Sequence, residues 1–243
     1  MLERLLRRLL PGACLLCDAP LPSTADVDLC RYCLDALPWN RGACPRCAEP
    51  VPEGAPRGSW CAACTRDPPP FRAAIAPLCY EGFAQLWVRR LKDHLGMVEG
   101  RILGTLLAGA ADAAYRADPG LPRPDLLVPV PLTLGRLARR GHNQALALAR
   151  PVAARLGIPI SRTAVMRRRR SRPQRGLGRA ARLGNLEGSF AARRTWPEPG
   201  PCVGIVDDVI TTGATAAALT RTLLAAGARE VHVLCAARTP RRR

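Results

Sequence analysis

Lysine, aromatic residues and long apolar runs are all scarce in this sequence. Lys92 is the only lysine among 37 basic residues, and aromatic residues make up 4% of the 243 positions. Few rings are therefore present to stack on bases, which argues against sequence-specific reading of a nucleic acid. No run is long and apolar enough to span a membrane, so we expect a cytoplasmic protein. Residues 1–12 form a short Leu/Arg amphipathic segment that can pack on the protein or lie at the inner face of a membrane.

The net charge of +18 is carried almost entirely by arginine. Such a charge favours polyanions, which include phosphosugars, nucleic acids and anionic membranes. The residues from Arg162 to Arg194 contain eleven arginines and a single acid, Glu187. Residues 167–175 have no apolar periodicity and predict a loop that either closes over a diphosphate or grips a nucleic-acid backbone. A loop that is merely solvated is the alternative. The candidate DNA-binding residues are Arg167, Arg168, Arg169, Arg170, Arg172 and Arg175.

Eight of the eleven cysteines form four Cys-x-x-Cys pairs near the start of the chain, separated by 12, 10 and 13 residues. Two thiolates spaced in this way can turn toward one ion, and two such pairs complete the tetrahedral sulfur shell that Zn²⁺ prefers. The regular spacing and the lack of an export signal favour zinc over disulfides, and an iron–sulfur cluster is a weaker alternative. The predicted zinc ligands are Cys14, Cys17, Cys30, Cys33, Cys44, Cys47, Cys61 and Cys64.

Two structural zinc sites follow from these pairs. Sequential pairing assigns the first four cysteines to one site and the last four to the other, and a crossed pairing stays open. Residues 13–66 have Pro-rich loops and little apolar core, so we expect this double zinc ribbon to fold only with metal. An α/β domain is expected at residues 67–243, and its first four residues, 67–70, are a stiff linker. The other three cysteines lie in apolar runs and are assigned no role.

The segment from Cys202 to Thr215 carries the clearest ligand-binding pattern. An apolar strand ends in two acids and is followed by a Thr/Gly-rich turn and an Ala/Leu-rich helix over residues 214–226. Ligands of parallel α/β sheets bind at the carboxyl ends of the strands, where helix N–H groups point outward. The turn can therefore wrap a phosphate, while two acceptor-only carboxylates suit sugar hydroxyls, directly or through Mg²⁺. The predicted ligand-binding residues are Asp207, Asp208, Thr211, Thr212, Gly213, Ala214 and Thr215.

This pattern resembles the ribose-phosphate loop of type I phosphoribosyltransferases, with which residues 206–215 agree throughout. A Walker A loop requires Gly-Lys-Ser/Thr and a dinucleotide fold requires Gly-x-Gly-x-x-Gly, and neither is present. A plain strand–turn–helix capped by threonines is the alternative, but its paired acids would repel each other without a ligand or metal. The resemblance implies phosphoribosyl diphosphate (PRPP) with Mg²⁺ as the ligand, and a parallel sheet with helices on both faces.

Short strands and helices are predicted between the linker and this loop, and one more strand after it. Lys92, on the first of these helices, and Arg140 are candidates to stabilise a leaving diphosphate electrostatically. Arginine and amide side chains before the helix that begins at Gln144 also suit anionic oxygens, whereas His142 is not favoured as a catalytic base. Strands are expected at residues 75–80, 125–131, 158–160, 163–166 and 229–237, and helices at 84–95, 98–115 and 144–156, with a short basic helix at 177–185.

Taken together, these features resemble the ComF family, in which a double zinc ribbon precedes a phosphoribosyltransferase-like domain. The family more often has phenylalanine in place of His142 and an aromatic residue in place of Asp93. The resemblance implies a role in taking up transforming DNA as single strands, with a helicase-like partner and inner-membrane DNA-uptake proteins. It covers nearly the full chain and rests on the four cysteine pairs, Leu91-Lys92, Val128 to Leu132, Arg140 to Gln144, Gln174, Arg179-Ala180, Asn185 and Val206 to Thr215.

The sequence leaves three functions open. The first, which we favour, is a PRPP-binding accessory of DNA uptake that contacts single-stranded DNA through its arginines. The second is an active phosphoribosyltransferase that transfers ribose 5-phosphate from PRPP to a base or an amine. The third is a zinc-ribbon scaffold with a vestigial ligand loop. No N-terminal cysteine nucleophile or other glutaminase site can be read in the chain.

Overall fold

The computed structural model describes residues 12–52, 54–56, 58–93, 96–168 and 188–241. Three predictions fall outside these ranges. They are the amphipathic segment at the start of the chain, the basic helix expected at 177–185, and most of the arginine loop expected at 167–175.

A parallel sheet forms around two nine-residue strands, β6 (Cys202–Ile210) and β7 (Glu230–Arg238). β1 (Ala73–Ile75) and β2 (Leu78–Cys79) pair with β7, and β3 (Leu126–Pro129) pairs with β6 on the other side. The strand order is β1–β7–β6–β3 and every pair is parallel. Continuous apolar runs suit the two central strands because both of their faces are buried.

Helices cover both faces of this sheet. Leu148 packs in one core cluster with Val206, and Leu219 packs in a second cluster with Ile205 on the opposite face. None of the helices within the described ranges is long and apolar enough to cross a membrane. These helices are α1 (Arg31–Asp35), α2 (Ala62–Arg66), α3 (Gly82–Leu91), α4 (Met97–Ala117), α5 (Leu134–Arg140), α6 (Gln144–Leu156) and α7 (Ala214–Ala225).

The predicted α/β fold with a parallel sheet after a double zinc ribbon is confirmed, although several element bounds differ. The strand expected at residues 75–80 is broken into β1 and β2, because Pro77 has no N–H to donate to a ladder. The helix expected to run to residue 95 ends at Leu91, so Lys92 lies at its C-terminal cap. The short helix α5 and the antiparallel pair β4 (Val165–Arg167) and β5 (Phe190–Ala192) complete the fold.

The zinc-ribbon region docks tightly against the α/β domain. Trp39 forms an antiparallel bridge with Leu78, and the Asn40 amide donates to the carbonyl oxygens of Ala48 at 2.9 Å and Ala76 at 3.0 Å. The ribbon residue Leu37 is buried in the same cluster as Leu78. The ribbon and the sheet therefore share one hydrophobic core.

Candidate functional site

The loop between β6 and α7 is open to solvent at the carboxyl edge of the sheet. Thr211 and Thr212 are exposed, and Gly213 adopts a left-handed conformation with φ of 79° before α7 begins. The Ala214 N–H donates to Thr212 Oγ1 at 3.3 Å. The first N–H groups of a helix have no partner within the helix, and their partial positive charge favours anions. An exposed turn of this kind before a helix can receive an anion, and its binding of a phosphate stays a prediction.

Two carboxylates lie among the last four residues of β6, which continues past them to Ile210 before this turn. Asp207 Oδ1 accepts from the Asp208 N–H at 2.9 Å, and Asp208 Oδ1 accepts from the Val209 N–H at 2.8 Å. Burial of the Asp207 carboxyl, followed by the negative charge of Asp208, raises the pKa of Asp207 to about 8. The pair is thus held close, and one proton at neutral pH relieves the repulsion between its members.

Lys92 reaches this acidic pair from the end of α3. Its Nζ lies 3.2 Å from Asp208 Oδ2, and its side chain is 33% exposed. Apart from this ion pair, the buried Asp208 Oδ2 accepts no hydrogen bond from the residues described. The structure therefore brings the only lysine of the chain to the predicted ligand-binding carboxylates, in an ion pair that an anionic ligand can open.

Arg140 and His142 lie near the end of β3, where α5 ends at Arg140. The two ring nitrogens of His142 lie 2.9 Å from the Arg140 carbonyl oxygen and 2.8 Å from the Leu91 carbonyl oxygen. A neutral imidazole can donate to only one of these carbonyl oxygens, and through that contact the ring links the end of α5 to the end of α3. The Arg140 guanidinium forms no ion pair with a carboxylate in the described part of the chain, and its contact with a diphosphate stays a prediction.

The eight predicted zinc ligands gather into two clusters of four. Within each cluster the sulfur atoms lie within 4.8 Å of one another, and the pairing along the chain is sequential. All eight are free cysteines. The first cluster is Cys14, Cys17, Cys30 and Cys33, and the second is Cys44, Cys47, Cys61 and Cys64.

The donor geometry of both clusters fits Zn²⁺. The sulfurs of Cys17 and Cys30 are 3.6 Å apart, as are those of Cys47 and Cys61. A tetrahedron with Zn–S bonds of about 2.3 Å has sulfur–sulfur edges of about 3.8 Å. Four sulfur ligands leave no open coordination position, so these are two structural sites.

A groove of about 1270 Å³ runs along α4 and α6 under the β4–β5 pair. Its apolar lining includes Met97 and Leu134, two residues that are 84% and 80% exposed. Arg167 and Arg168 of the predicted DNA-binding set lie on its rim, and the other four members of that set fall outside the described ranges. The arginines that line the groove are Arg101, Arg150, Arg162, Arg167, Arg168 and Arg193.

Sequence reasoning missed one buried ion pair beside the loop between β6 and α7, which is called the ligand loop below. Arg238, the last residue of β7, is 1% exposed and lies 2.5 Å from Glu49 Oε2. Glu49 lies two residues after Cys47, and 189 positions separate the two partners. The available signal was an arginine at the end of an otherwise apolar strand, but nothing local identifies its partner.

Several known proteins are similar to this chain. The double zinc ribbon domain family matches residues 5–65. DNA utilization protein YhgH of Salmonella typhi is 35% identical over 229 residues, which cover 94% of this chain and 98% of that protein. Competence protein F of Haemophilus influenzae is 32% identical over 174 residues, which cover 71% of this chain and 76% of that protein.

Two solved structures show a looser similarity. Glutamine phosphoribosylpyrophosphate amidotransferase from B. subtilis is 21% identical with a TM-score of 0.39, over 68% of this chain and 32% of its own. Purine phosphoribosyltransferase from Pyrococcus horikoshii is 18% identical with a TM-score of 0.30, over 53% of this chain and 68% of its own.

Proposed function

The chain belongs to the ComF family of DNA utilization protein YhgH and competence protein F, and from that premise we propose that it assists the uptake of single-stranded DNA while binding PRPP with Mg²⁺ after β6. The observation that carries the ligand is the Lys92–Asp208 pair beside an open helix N-terminus. The helicase-like partner and inner-membrane uptake proteins implied by the family resemblance belong to the same proposal.

Each part of the loop suits one part of PRPP. The turn from Thr211 to Thr215 offers N–H and hydroxyl donors to the 5-phosphate. Asp207 and Asp208 accept from the ribose hydroxyls and are the residues that would hold Mg²⁺. When bound, Mg²⁺ neutralises charge on the diphosphate oxygens. Lys92 pairs with Asp208 in the ligand-free protein and with the diphosphate when PRPP is bound. Its positive charge therefore has a negative partner in both states.

The binding of PRPP is expected to strengthen about tenfold between pH 7 and pH 9. The pKa of Asp207 is about 8, well above the ordinary value of about 3.9, so the carboxyl is mostly protonated at pH 7. The bound proton stabilises the ligand-free protein at low pH, and this stabilisation is lost as the pH rises through 8. A carboxylate only accepts hydrogen bonds, whereas a protonated carboxyl also donates one. Loss of the proton from Asp207 therefore favours ligand binding.

Calorimetric titrations of PRPP with Mg²⁺ at several pH values measure this effect. Asp207→Asn is the matched control, because it removes the titrating group and keeps the shape. We expect its affinity to be weak and nearly independent of pH. A variant that kept the full pH dependence would assign the proton to another group.

Single-stranded DNA is proposed to lie in the arginine-rimmed groove. Its apolar floor can receive bases without reading their sequence, while guanidinium groups contact the phosphates. Arg150, Arg162 and Arg193 form no ion pair with a carboxylate among the residues that the structure places, so their charge is available. Arg167 is held over the Phe190 ring at 5.3 Å, which fixes one end of the rim.

The double variant Arg150→Glu/Arg162→Glu is expected to weaken DNA binding at least tenfold, since it replaces two attractive interactions with repulsive ones. The slope of log affinity against log salt should also become shallower by about 0.7 for each phosphate that the variant no longer neutralises. Fluorescence anisotropy of a labelled oligothymidylate of about 20 nucleotides, between about 50 and about 200 mM salt, measures both quantities.

Arg31→Glu/Arg66→Glu is the matched control for net charge. Both residues lie in the zinc-ribbon helices α1 and α2, away from the groove, and Arg31 is 90% exposed. We expect this control to reduce affinity only slightly. Equal reductions in the two double variants would mean that net charge, not the groove, binds DNA.

Transfer of ribose 5-phosphate to a base or an amine is a second candidate function, favoured by one observation. The groove reaches Pro129 and His142 at the end of β3, and His142 contacts Leu91, which precedes Lys92. An acceptor nitrogen at that position would bond to the ribose C1 while the bond between C1 and the diphosphate oxygen breaks. The proton of the acceptor would pass to solvent. Lys92 and Arg140 would stabilise the leaving diphosphate. Pyrophosphate release that requires an acceptor distinguishes this activity from binding alone.

We also propose the domain division expected from the sequence, with a double zinc ribbon at residues 13–66 and an α/β domain at 67–243. α2 ends at Arg66 and the first sheet strand begins at Ala73, which supports a boundary between them. The shared core around Leu37 and Leu78 indicates that the two parts act as one folded unit.

A further inference from the structure

A buried ion pair joins the second zinc cluster to the end of β7. Arg238 Nη2 lies 2.5 Å from Glu49 Oε2, and the backbone N–H of Arg241 donates to Glu49 Oε1 at 2.7 Å. The side chains of Arg238 and Glu49 are 1% and 10% exposed. A buried guanidinium without a counter-charge is strongly unfavourable, so each partner depends on the other.

The same guanidinium holds the backbone of the ligand loop. Arg238 Nη1 donates to the carbonyl oxygen of Ile210 at 2.9 Å and to the carbonyl oxygen of Thr211. A trans peptide group is planar, and its C=O and N–H point in opposite directions. Fixing the Thr211 carbonyl on Arg238 therefore aims the Thr212 N–H away from Arg238, toward the open side of the turn.

Glu49 is in turn fixed by the zinc ribbon. Its backbone carbonyl accepts from the N–H of Cys44 at 2.8 Å, which closes the turn carrying Cys44 and Cys47. The adjacent Ala48 carbonyl accepts from the Asn40 amide. Zinc bound by the second cluster would hold this turn in one conformation, because both cysteines ligate the same ion.

We propose that Glu49 and Arg238 are positioning residues, through which the second zinc ribbon sets the conformation of the ligand loop. The chain of contacts runs from the turn around Cys44, through Glu49 and Arg238, to the Thr211 carbonyl. The identity of the loop's ligand rests on the function proposed above, whereas the effect on the loop itself does not. By this mechanism, loss of the second zinc ion loosens the loop and loss of the first does not.

The test compares Glu49→Gln with Asp112→Asn. Asp112 is 8% exposed and pairs with three arginines, Arg116, Arg123 and Arg155, none of which forms a hydrogen bond with the ligand loop among the described residues. Both substitutions remove one buried negative charge and keep the side-chain shape, although the arginines around Asp112 are about half exposed and Arg238 is 1% exposed. Only Glu49→Gln is expected to act on the loop.

Hydrogen exchange of the ligand-free protein is the first measurement. Peptides covering residues 207–216 should exchange at least tenfold faster in Glu49→Gln than in the wild type, and at wild-type rates in Asp112→Asn. Cys61→Ser, which removes a ligand of the second zinc site, should loosen the same peptides, and Cys17→Ser, in the first site, should not. Unchanged loop exchange in Glu49→Gln, with both zinc ions retained, would overturn the proposal, as would equal loosening by Asp112→Asn.

Titration with PRPP and Mg²⁺ is the second measurement. Glu49→Gln should bind about tenfold more weakly at unchanged stoichiometry, whereas a merely unfolded fraction would lower the stoichiometry and leave the affinity unchanged. Wild-type affinity in Glu49→Gln would contradict the positioning role. If the wild-type protein itself does not bind PRPP, the proposed ligand is wrong, and hydrogen exchange still decides whether Glu49 positions the loop.

Discussion

Lys92→Met is expected to weaken the binding of PRPP with Mg²⁺ about 100-fold, or about 2.7 kcal/mol. Hydrogen bonds to charged groups contribute about 1.5–3 kcal/mol, and the substitution also leaves Asp208 without the cation 3.2 Å away. The diphosphate would then approach the two acidic groups without the positive charge of Lys92. Isothermal titration calorimetry measures the change in affinity directly, and Lys92→Arg, which keeps the charge, should weaken binding less than tenfold.

The uniqueness of Lys92 allows a second measurement of the same interaction. An amine-reactive reagent can modify only this side chain and the α-amino group of the chain, because no other lysine is present. PRPP should slow modification of Lys92 and leave modification of the α-amino group unchanged, as peptide mass spectrometry would report. Equal labelling with and without the ligand would separate Lys92 from the binding site.

Removal of either zinc ion is expected to lower the melting temperature by about 10 °C or more. Zinc binding contributes about 10–16 kcal/mol in small zinc-finger peptides, and a destabilisation of even 5 kcal/mol corresponds to about 10–20 °C for a chain of this size. The ribbon residue Leu37 also lies in one core cluster with Leu78 of the sheet, so the destabilisation extends beyond the ribbon.

Cys14→Ser and Cys44→Ser test the two sites separately, with zinc content and thermal unfolding as the readouts. Each variant should retain one zinc ion and unfold at a lower temperature. Cys79→Ser is the control, because Cys79 is half-buried and belongs to neither cluster. A melting temperature in the cluster variants within about 2 °C of the control would show that zinc is not a major source of stability.

Local patterns account for the parts of this molecule that the sequence predicts well. The spacing of two residues within each cysteine pair is a property of a few neighbouring positions, and so is the strand–turn–helix around Gly213. The helix predicted over residues 144–156 has the same bounds in the structure. The pairing of the zinc ligands was left open because it depends on how distant turns meet, and the structure makes it sequential.

The interactions that join distant segments could not be predicted in the same way. The uniqueness of the lysine and the family resemblance predict a role for Lys92 at the ligand site, but no spacing in the sequence indicates that it lies beside Asp208. The ion pair between Glu49 and Arg238 arises only when the ribbon docks against the sheet, and no pattern in either segment indicates it. The strand expected at residues 163–166 corresponds to β4, whereas its partner β5 and the short helix α5 were missed because they span too few residues to show a period.

Calorimetric titration of PRPP with Mg²⁺ into the zinc-loaded protein, beside Asp208→Asn, tests the central claim most directly. Asp208→Asn keeps the side-chain volume and removes the carboxylate that Lys92 contacts. We predict one ligand per chain with a dissociation constant in the micromolar range, or about −8 kcal/mol, and no measurable binding to the variant. Absence of binding to the wild-type protein would contradict the claim that the loop after β6 binds PRPP. The function would then rest on the arginine groove and the zinc ribbons.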